Sequence, residues 1–136
     1  MRAREVMTSP VRVIGPDARA WEAIAVMRRH GIRRLPVVVD GRLVGIVTWT
    51  DLVRVRPPIL GGRPMIPRLE TTVQVRHLMT PSPHTIDPEY PVEAAAALMR
   101  RLKVGGLPVM DGTRLAGIVT ESDLLEALAD ILAAEA

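Results

Sequence analysis

Two eight-residue stretches of this chain repeat one pattern, GIVTWTDL at residues 45–52 and GIVTESDL at residues 117–124. Only the two residues between the threonine and the aspartate differ between the copies. In each copy an apolar run with β-branched residues leads directly into Thr-x-x-Asp. This order predicts a buried strand that ends where a helix begins.

The similarity extends outward from both stretches. A shift of 72 residues aligns 6–54 with 78–126 without a gap, and 20 of the 49 positions are identical. Two copies are too few for a solenoid. A copy of this size cannot bury a sheet and its helices alone. We therefore expect the two copies to pack as a pair with approximate two-fold symmetry.

Each copy predicts the same order of elements, β-α-β-β-α, which makes the fold class α+β. Apolar residues at helical spacing predict one helix over about 18–30 and its counterpart over about 90–102. A last helix is predicted to begin around Thr50 in one copy and Ser122 in the other.

The hairpin turns and a connector rich in proline set the predicted boundaries. Two strands are expected to meet at Asp40-Gly41 and, in the second copy, near Asp111-Gly112. The expected domains are a first repeat at 1–54, a connector at 55–72 and a second repeat at 73–136 that includes an extended C-terminal helix. The connector holds four prolines and a Gly-Gly pair, so it is predicted to be neither helix nor central strand.

Composition narrows the class of protein. The chain has 136 residues, 48% of them hydrophobic and 24% charged, which is ordinary for a globular protein. It has no apolar run of bilayer-spanning length, no signal-peptide pattern and no cysteine, so we expect a cytoplasmic location. Its aromatic residues are only Trp21, Trp49 and Tyr90, which argues against a binder of single-stranded nucleic acid.

The Thr-x-x-Asp motif has two interpretations. It is a capping box in which the threonine side chain and the acidic group satisfy backbone N–H groups at the helix start. It also places a carboxylate and a hydroxyl at the exit of a buried strand, where α/β folds tend to bind ligands. The carboxylate suits the two hydroxyls of a ribose, and the helix start suits a phosphate. Together these groups fit an adenosine nucleotide.

Over 6–52 and 78–124 the sequence resembles a tandem pair of CBS domains, a Bateman module. The resemblance covers almost the whole chain except the connector and the tail. It implies a regulatory protein that binds AMP, ADP, ATP or a related adenosyl compound such as S-adenosylmethionine, with no cofactor required.

The resemblance further implies two clefts, each combining the Thr-x-x-Asp of one repeat with the first extended piece and second-strand start of the other. One predicted cleft joins Ile118, Thr120 and Asp123 to Pro10, Val11, Ile32, Arg33 and Arg34. The other joins Ile46, Thr48 and Asp51 to Ser82, Pro83, Val104, Gly105 and Gly106. The aspartate would bind the ribose hydroxyls, the threonine would face the ribose and phosphate, and the apolar residues would sandwich adenine.

The two predicted clefts differ in charge. Arg33 and Arg34 stand where the second copy has Gly105 and Gly106. Arginine makes strong bidentate contacts with phosphate, so the Asp123 cleft is predicted to prefer a phosphorylated ligand. The Asp51 cleft is predicted to bind more weakly or to take a less charged adenosyl group. The alternative is that both arginines are solvated charges beside a strand.

Other functions remain open at this stage. The three histidines lack metal-site spacing, and no nucleophile, base and orienting group come together, so neither a metal site nor an enzyme is expected. A ligand-independent scaffold for dimerisation or protein binding is the alternative. A nucleic-acid adaptor, suggested by Arg54, Arg56, Arg63 and Arg68, ranks last. A homodimer is expected from the resemblance and from the apolar last helix, and a regulated partner protein is also considered.

Overall fold

The computed structural model describes residues 1–54, 59–60, 63–64 and 73–136. Most of the predicted connector therefore lies outside the described residues, apart from one short pair of strands. The helices are α1 (Ala3–Val6), α2 (Ala20–His30), α3 (Trp49–Val53), α4 (Val92–Leu102) and α5 (Glu121–Glu135), with a 3₁₀ turn at Val75–His77. The strands are β1 (Arg34–Val39), β2 (Arg42–Thr48), β3 (Ile59–Leu60), β4 (Arg63–Pro64), β5 (Thr80–Pro81), β6 (Gly106–Asp111) and β7 (Arg114–Thr120).

The chain folds into two compact units. The first unit is Arg12–Ser82, and the second unit combines Met1–Val11 with Pro83–Ala136. Each contains a hairpin covered by helices, so the predicted α+β class and the repeated order of elements are confirmed. Each repeat's leading segment packs with the other repeat's body, so a compact unit is not the same set of residues as a repeat. The repeat boundaries 1–54 and 73–136 and the connector 55–72 stay predictions.

Backbone hydrogen bonds and core packing fix this exchange of leading segments. In the first unit, Val75 N–H donates to the Ala18 carbonyl at 2.8 Å, and Val75 is fully buried in that unit's core. In the second unit, Ala3 N–H donates to the Tyr90 carbonyl at 2.8 Å, and Ala3 is buried in the core. Each core is therefore incomplete without a segment distant in sequence.

The hairpins form where the turn residues predict them. Asp40 and Gly41 both adopt positive φ angles, 48° and 78°, and join β1 to β2. A bulge leaves Val44 unpaired with β1, and its carbonyl accepts a hydrogen bond from Ser82 N–H at 3.1 Å. The second hairpin has its bulge at Ala116, whose carbonyl accepts from Ser9 Oγ at 2.8 Å. Each bulge thus supplies an acceptor for the exchanged segment.

The long helices present apolar faces to their own cores. Ala20, Ala23, Ile24 and Met27 of α2 are buried, at the spacing expected of one helical face. Gly31 ends α2 in the left-handed conformation at φ 63°, as its position predicts. The helix predicted over 90–102 forms as α4. Both predicted last helices form as well, beginning one residue before the predicted positions.

The start of α1 provides a pH-dependent prediction. The backbone N–H of Arg2 donates to Glu5 Oε2 at 2.6 Å, and this bond holds the pKa of the Glu5 carboxyl below its usual value. The folded state therefore favours ionised Glu5. Its stabilising contribution is present above the unfolded-state pKa and is lost as the pH falls through the lowered folded-state pKa.

We expect wild type to unfold at a higher temperature than Glu5→Gln near neutral pH, and this difference to vanish as the pH falls through the lowered pKa of Glu5. Thermal unfolding of both proteins across this range measures it. A difference that does not change with pH would contradict the assignment, because glutamine retains the shape of the side chain and loses only the titrating charge.

Candidate functional site

The first Thr-x-x-Asp lies at the start of α3 in the first unit. Thr48 is extended, at φ −112° and ψ 162°, and it caps the helix. Asp51 N–H donates to Thr48 Oγ1 at 3.2 Å, and Thr48 N–H donates to Asp51 Oδ2 at 2.9 Å. The capping interpretation is therefore correct at this position, with aspartate in the place that glutamate or glutamine usually takes.

The second Thr-x-x-Asp forms the same box at the start of α5. Thr120 N–H donates to Asp123 Oδ2 at 2.8 Å, and Asp123 N–H donates to Thr120 Oγ1 at 3.3 Å. Thr120 Oγ1 also donates to Asp123 Oδ2, at 2.9 Å. Both boxes thus hold an aspartate on the strand-to-helix turn with one carboxylate oxygen bound to its own cap.

The second carboxylate oxygen distinguishes the two helix starts. Asp123 Oδ1 accepts a hydrogen bond from Thr8 Oγ1 at 2.9 Å. Within the part of the chain that the structure describes, no hydrogen bond reaches Asp51 Oδ1. Both aspartates are half-buried, and a carboxylate oxygen has lone pairs for more than one donor. Each helix start therefore keeps acceptor capacity that the cap does not use.

Thr8 is the residue that the sequence-based site prediction missed. It belongs to the exchanged leading segment and pairs with β7, where Thr8 N–H donates to the Ile118 carbonyl at 2.9 Å and Ile118 N–H donates back at 3.1 Å. A signal for it existed, because Thr8 and Thr80 are identical in the 72-residue alignment. That identity alone does not say which aspartate a threonine would meet.

The residues predicted for each cleft divide between the two units. Of the Asp123 set, Pro10, Val11, Ile118, Thr120 and Asp123 lie in the second unit, and Ile32, Arg33 and Arg34 lie in the first. Of the Asp51 set, Ile46, Thr48, Asp51 and Ser82 lie in the first unit, and Pro83, Val104, Gly105 and Gly106 lie in the second. Each predicted cleft therefore draws its residues from both units, and both complete clefts remain predictions.

Within each unit, the residue before the hairpin lies beside the helix start of the same repeat. Trp49 N–H donates to the Arg33 carbonyl at 2.7 Å, and Glu121 N–H donates to the Gly105 carbonyl at 3.0 Å. The backbone of Arg33 therefore adjoins the start of α3, which carries Asp51. The sequence-based grouping instead placed Arg33 with Asp123, and that grouping stays a prediction.

An arginine side chain lies against the start of α3. The guanidinium of Arg28 lies 5.7 Å from the centre of the Trp49 ring. This is the range of a cation–π contact. Glu121 occupies the position equivalent to Trp49 at the start of α5. The two helix starts thus share their capping geometry and differ in the charge and apolar surface of the residue that follows the threonine.

Neither a metal site nor a membrane-spanning helix is found among the described residues, which are 1–54, 73–136 and the short strands β3 and β4. These residues contain no group of three or more histidine, aspartate or glutamate side chains placed to hold a metal ion. None of their helices is both long enough and apolar enough to span a membrane.

Both the sequence and the structure resemble known proteins. The family described as CBS domain matches residues 3–57 and 75–130. A CBS domain-containing protein of Dictyostelium discoideum is 38% identical over 138 residues, spanning 95% of this chain and 92% of that protein. The chain spans less than half the length of several other relatives.

Two solved structures resemble the chain over nearly its whole length. CBSX2, a CBS-pair protein of Arabidopsis thaliana, was crystallised in complex with AMP. Its sequence is 28% identical to this chain. The TM-score is 0.78, and the likeness covers 96% of this chain and 97% of CBSX2. The CBS domain pair of protein MJ0100, crystallised with 5′-methylthioadenosine and S-adenosyl-L-methionine, has a TM-score of 0.80 at 24% identity, over 96% of this chain and 97% of that one. At that identity the second likeness shows the fold alone.

Proposed function

Because this chain belongs to the CBS domain family and carries two such domains in tandem, we propose that it is a regulatory protein that binds an adenosine-containing ligand at its Thr-x-x-Asp helix starts. The proposal rests on the carboxylates of Asp51 and Asp123. Each is held by its cap in one orientation, is half-buried, and has acceptor capacity left for ribose hydroxyls. The AMP complex of the Arabidopsis relative supports this ligand class.

The ligand preference is proposed from the charges beside the hairpins. In the predicted Asp123 cleft, Arg33 and Arg34 favour a phosphorylated ligand, AMP, ADP or ATP. The reason is that arginine forms charge-assisted, bidentate hydrogen bonds with phosphate. Gly105 and Gly106 replace them in the second repeat. The glycines have neither the charge nor the bulk of arginine side chains. The predicted Asp51 cleft, to which they belong, therefore favours a less charged adenosyl compound such as S-adenosylmethionine.

We propose that the bound ligand competes with Thr8 at the second helix start. A ribose whose two hydroxyls both donate to Asp123 Oδ1 needs the acceptor position that Thr8 Oγ1 now uses. Because Thr8 anchors the leading segment to β7, occupancy of this site is linked to the position of that segment. A regulated partner protein that contacts the segment would respond to the ligand in this way. The ligand can shift the equilibrium between two positions of the segment only by as much as its affinity for the two positions differs.

Thermal unfolding with added AMP, ADP, ATP or S-adenosylmethionine tests the proposal, with GMP as the control for nucleotides in general. A ligand present at about 100 times its Kd stabilises the folded state by about 2.7 kcal/mol. This corresponds to a rise in Tm of about 9 °C for a chain of this size. Absence of a shift with all four adenosine compounds would contradict the proposal.

The second candidate is a ligand-independent scaffold for dimerisation or protein binding. The observation in its favour is that both capping boxes are complete without a ligand. It predicts the same partner affinity with and without nucleotide. The nucleic-acid adaptor has weaker support, because the chain has only three aromatic residues on which bases could stack. Of the arginines that suggested it, Arg56 and Arg68 lie outside the described residues, and the side chain of Arg63 is not described. We propose no catalytic activity, no required cofactor and a cytoplasmic location.

A further inference from the structure

Each exchanged leading segment carries a methionine beside the backbone pairing that attaches it. Met7 precedes Thr8, which pairs with β7, and Met79 precedes β5, which pairs with β2. The 72-residue shift places the two methionines at the same position. Both are half-buried and pack against the core of their own unit. The same arrangement therefore occurs once in each unit.

The sulfur atom of each methionine lies against a buried glycine of the paired strand. A Cβ added at Gly117 would lie 2.8 Å from Met7 Sδ, and a Cβ added at Gly45 would lie 2.5 Å from Met79 Sδ. The other atom close to each of these positions is a carbonyl oxygen of the leading segment, from the threonine that follows the methionine. A carbonyl oxygen only accepts hydrogen bonds, so it cannot donate one to a polar group placed beside it.

Methionine is the sulfur residue that an oxidant can modify in this chain, which has seven methionines and no cysteine. Hydrogen peroxide transfers an oxygen atom to the thioether: an S–O bond forms, the O–O bond breaks, the sulfur is oxidised and the peroxide is reduced to water. The product, a sulfoxide, is polar where the thioether was apolar. Methionine sulfoxide reductases reverse the step with thiols from outside the chain, which are oxidised to a disulfide while the oxygen leaves as water.

Exposure divides the described methionines into three groups. Met1 is 57% exposed, whereas Met27 and Met99 are 1% and 4% exposed and lie in the cores. The third group is half-buried, so that a small oxidant can reach the side chain while it still packs on protein: Met7, Met79 and Met110. Of this group, only Met7 and Met79 lie on the leading segments.

We propose that Met7 and Met79 are sites of reversible oxidation, and that their sulfoxides release the leading segments from β7 and β2. A sulfoxide oxygen held between a buried glycine and a carbonyl oxygen costs free energy, because burying a polar group without a hydrogen-bond donor is unfavourable. Water reaches that oxygen when the segment lifts from the strand. In the second unit this also breaks the bond from Thr8 Oγ1 to Asp123 Oδ1. The proposal does not depend on the adenosine ligand.

Dilute hydrogen peroxide acting on the full chain, without nucleotide, tests the proposal. Peptide mass spectrometry should find an added oxygen on Met7 and Met79 as well as on the exposed Met1. Circular dichroism should show that the Tm falls by about 5 °C or more, because each core is incomplete without its segment. Methionine sulfoxide reductases with a thiol reductant should restore the wild-type Tm.

Leucine variants identify which methionines cause the loss. The double variant Met7→Leu/Met79→Leu should keep its Tm after peroxide, because leucine has a similar volume and is not oxidised. The single variants carry the same test, since each protects its own unit. Met110→Leu is the matched control: it removes a half-buried methionine outside the leading segments, and its Tm should fall as that of wild type does.

Hydrogen exchange distinguishes release of a segment from a general loss of stability. The Ile118 amide donates to the Thr8 carbonyl, so oxidation should speed its exchange about tenfold or more, and by more than that of the Ala95 amide in α4. Three outcomes would overturn the proposal: Met7 and Met79 that stay reduced while Met1 is oxidised, a Tm unchanged by their oxidation, or a double variant that loses as much Tm as wild type. A Tm that the reductases do not restore would contradict reversibility.

Discussion

Asp123→Asn is expected to weaken binding of an adenosine ligand at the second helix start about 100-fold. The substitution keeps one oxygen for the cap but removes the charge and the second acceptor oxygen that ribose would use. A hydrogen bond to a charged group contributes about 1.5–3 kcal/mol, and about 2.7 kcal/mol corresponds to this change in Kd. Isothermal titration with the ligand that gives the largest thermal shift in wild type measures it.

The control for this experiment separates binding from stability. Ala129→Gly lies in the exposed middle of α5 and weakens the same helix by about 1 kcal/mol without touching the carboxylate. It should leave the ligand Kd at the wild-type value. Asp51→Asn reports the other helix start, and the double variant should bind no adenosine ligand measurably. If Asp123→Asn, Asp51→Asn and the double variant all bind as wild type does, the two aspartates are purely structural caps and the ligand binds elsewhere on the chain, which contradicts the proposed site.

Gly117→Ala is expected to destabilise the fold by about 1–3 kcal/mol, because it forces a methyl group into a packed contact. A Cβ at this position would lie 2.7 Å from the Thr8 carbonyl oxygen and 2.8 Å from Met7 Sδ. The Thr8 carbonyl accepts from Ile118 N–H, so the leading segment cannot retreat without losing its pairing to β7. Urea unfolding measures the loss of stability.

Alanine substitutions at two other glycines are the controls for this result. Gly45 is the equivalent position in the first unit, where a Cβ would meet Met79 Sδ at 2.5 Å and the Thr80 carbonyl at 3.0 Å. Because the closest atom there belongs to a flexible side chain, Gly45→Ala should cost less than Gly117→Ala. At Gly15 an added Cβ would have no neighbouring atom within 4 Å, so Gly15→Ala should be close to neutral. Equal effects at Gly15 and Gly117 would show that backbone propensity, not the close contact, sets the cost.

Gly117→Ala also links the fold to the proposed site. Displacing the leading segment removes the hydrogen bond from Thr8 Oγ1 to Asp123 Oδ1. The carboxylate then has both acceptor positions on Oδ1 available to a ligand. Ligand titration of this variant therefore reports whether Thr8 opposes binding at Asp123.

The local structure followed from the sequence because it depends on neighbouring residues. Asp40-Gly41 supplies the two positive φ angles of a tight hairpin turn, and Gly31 supplies the left-handed residue that ends α2. Each Thr-x-x-Asp satisfies backbone groups only three residues apart. Interactions of this range depend on few residues and little on the rest of the chain, so the repeat, the α+β class and the capped helix starts could all be predicted.

The tertiary structure alone decided which leading segment completes which core, and so brought Thr8 to Asp123 across 115 positions of sequence. The sequence could not determine this because the two repeats are identical at the contacting positions. Met7 matches Met79, Thr8 matches Thr80, and Gly45 matches Gly117. Pairing within a repeat and pairing between repeats would make the same local contacts, and only the packing of the whole chain distinguishes them.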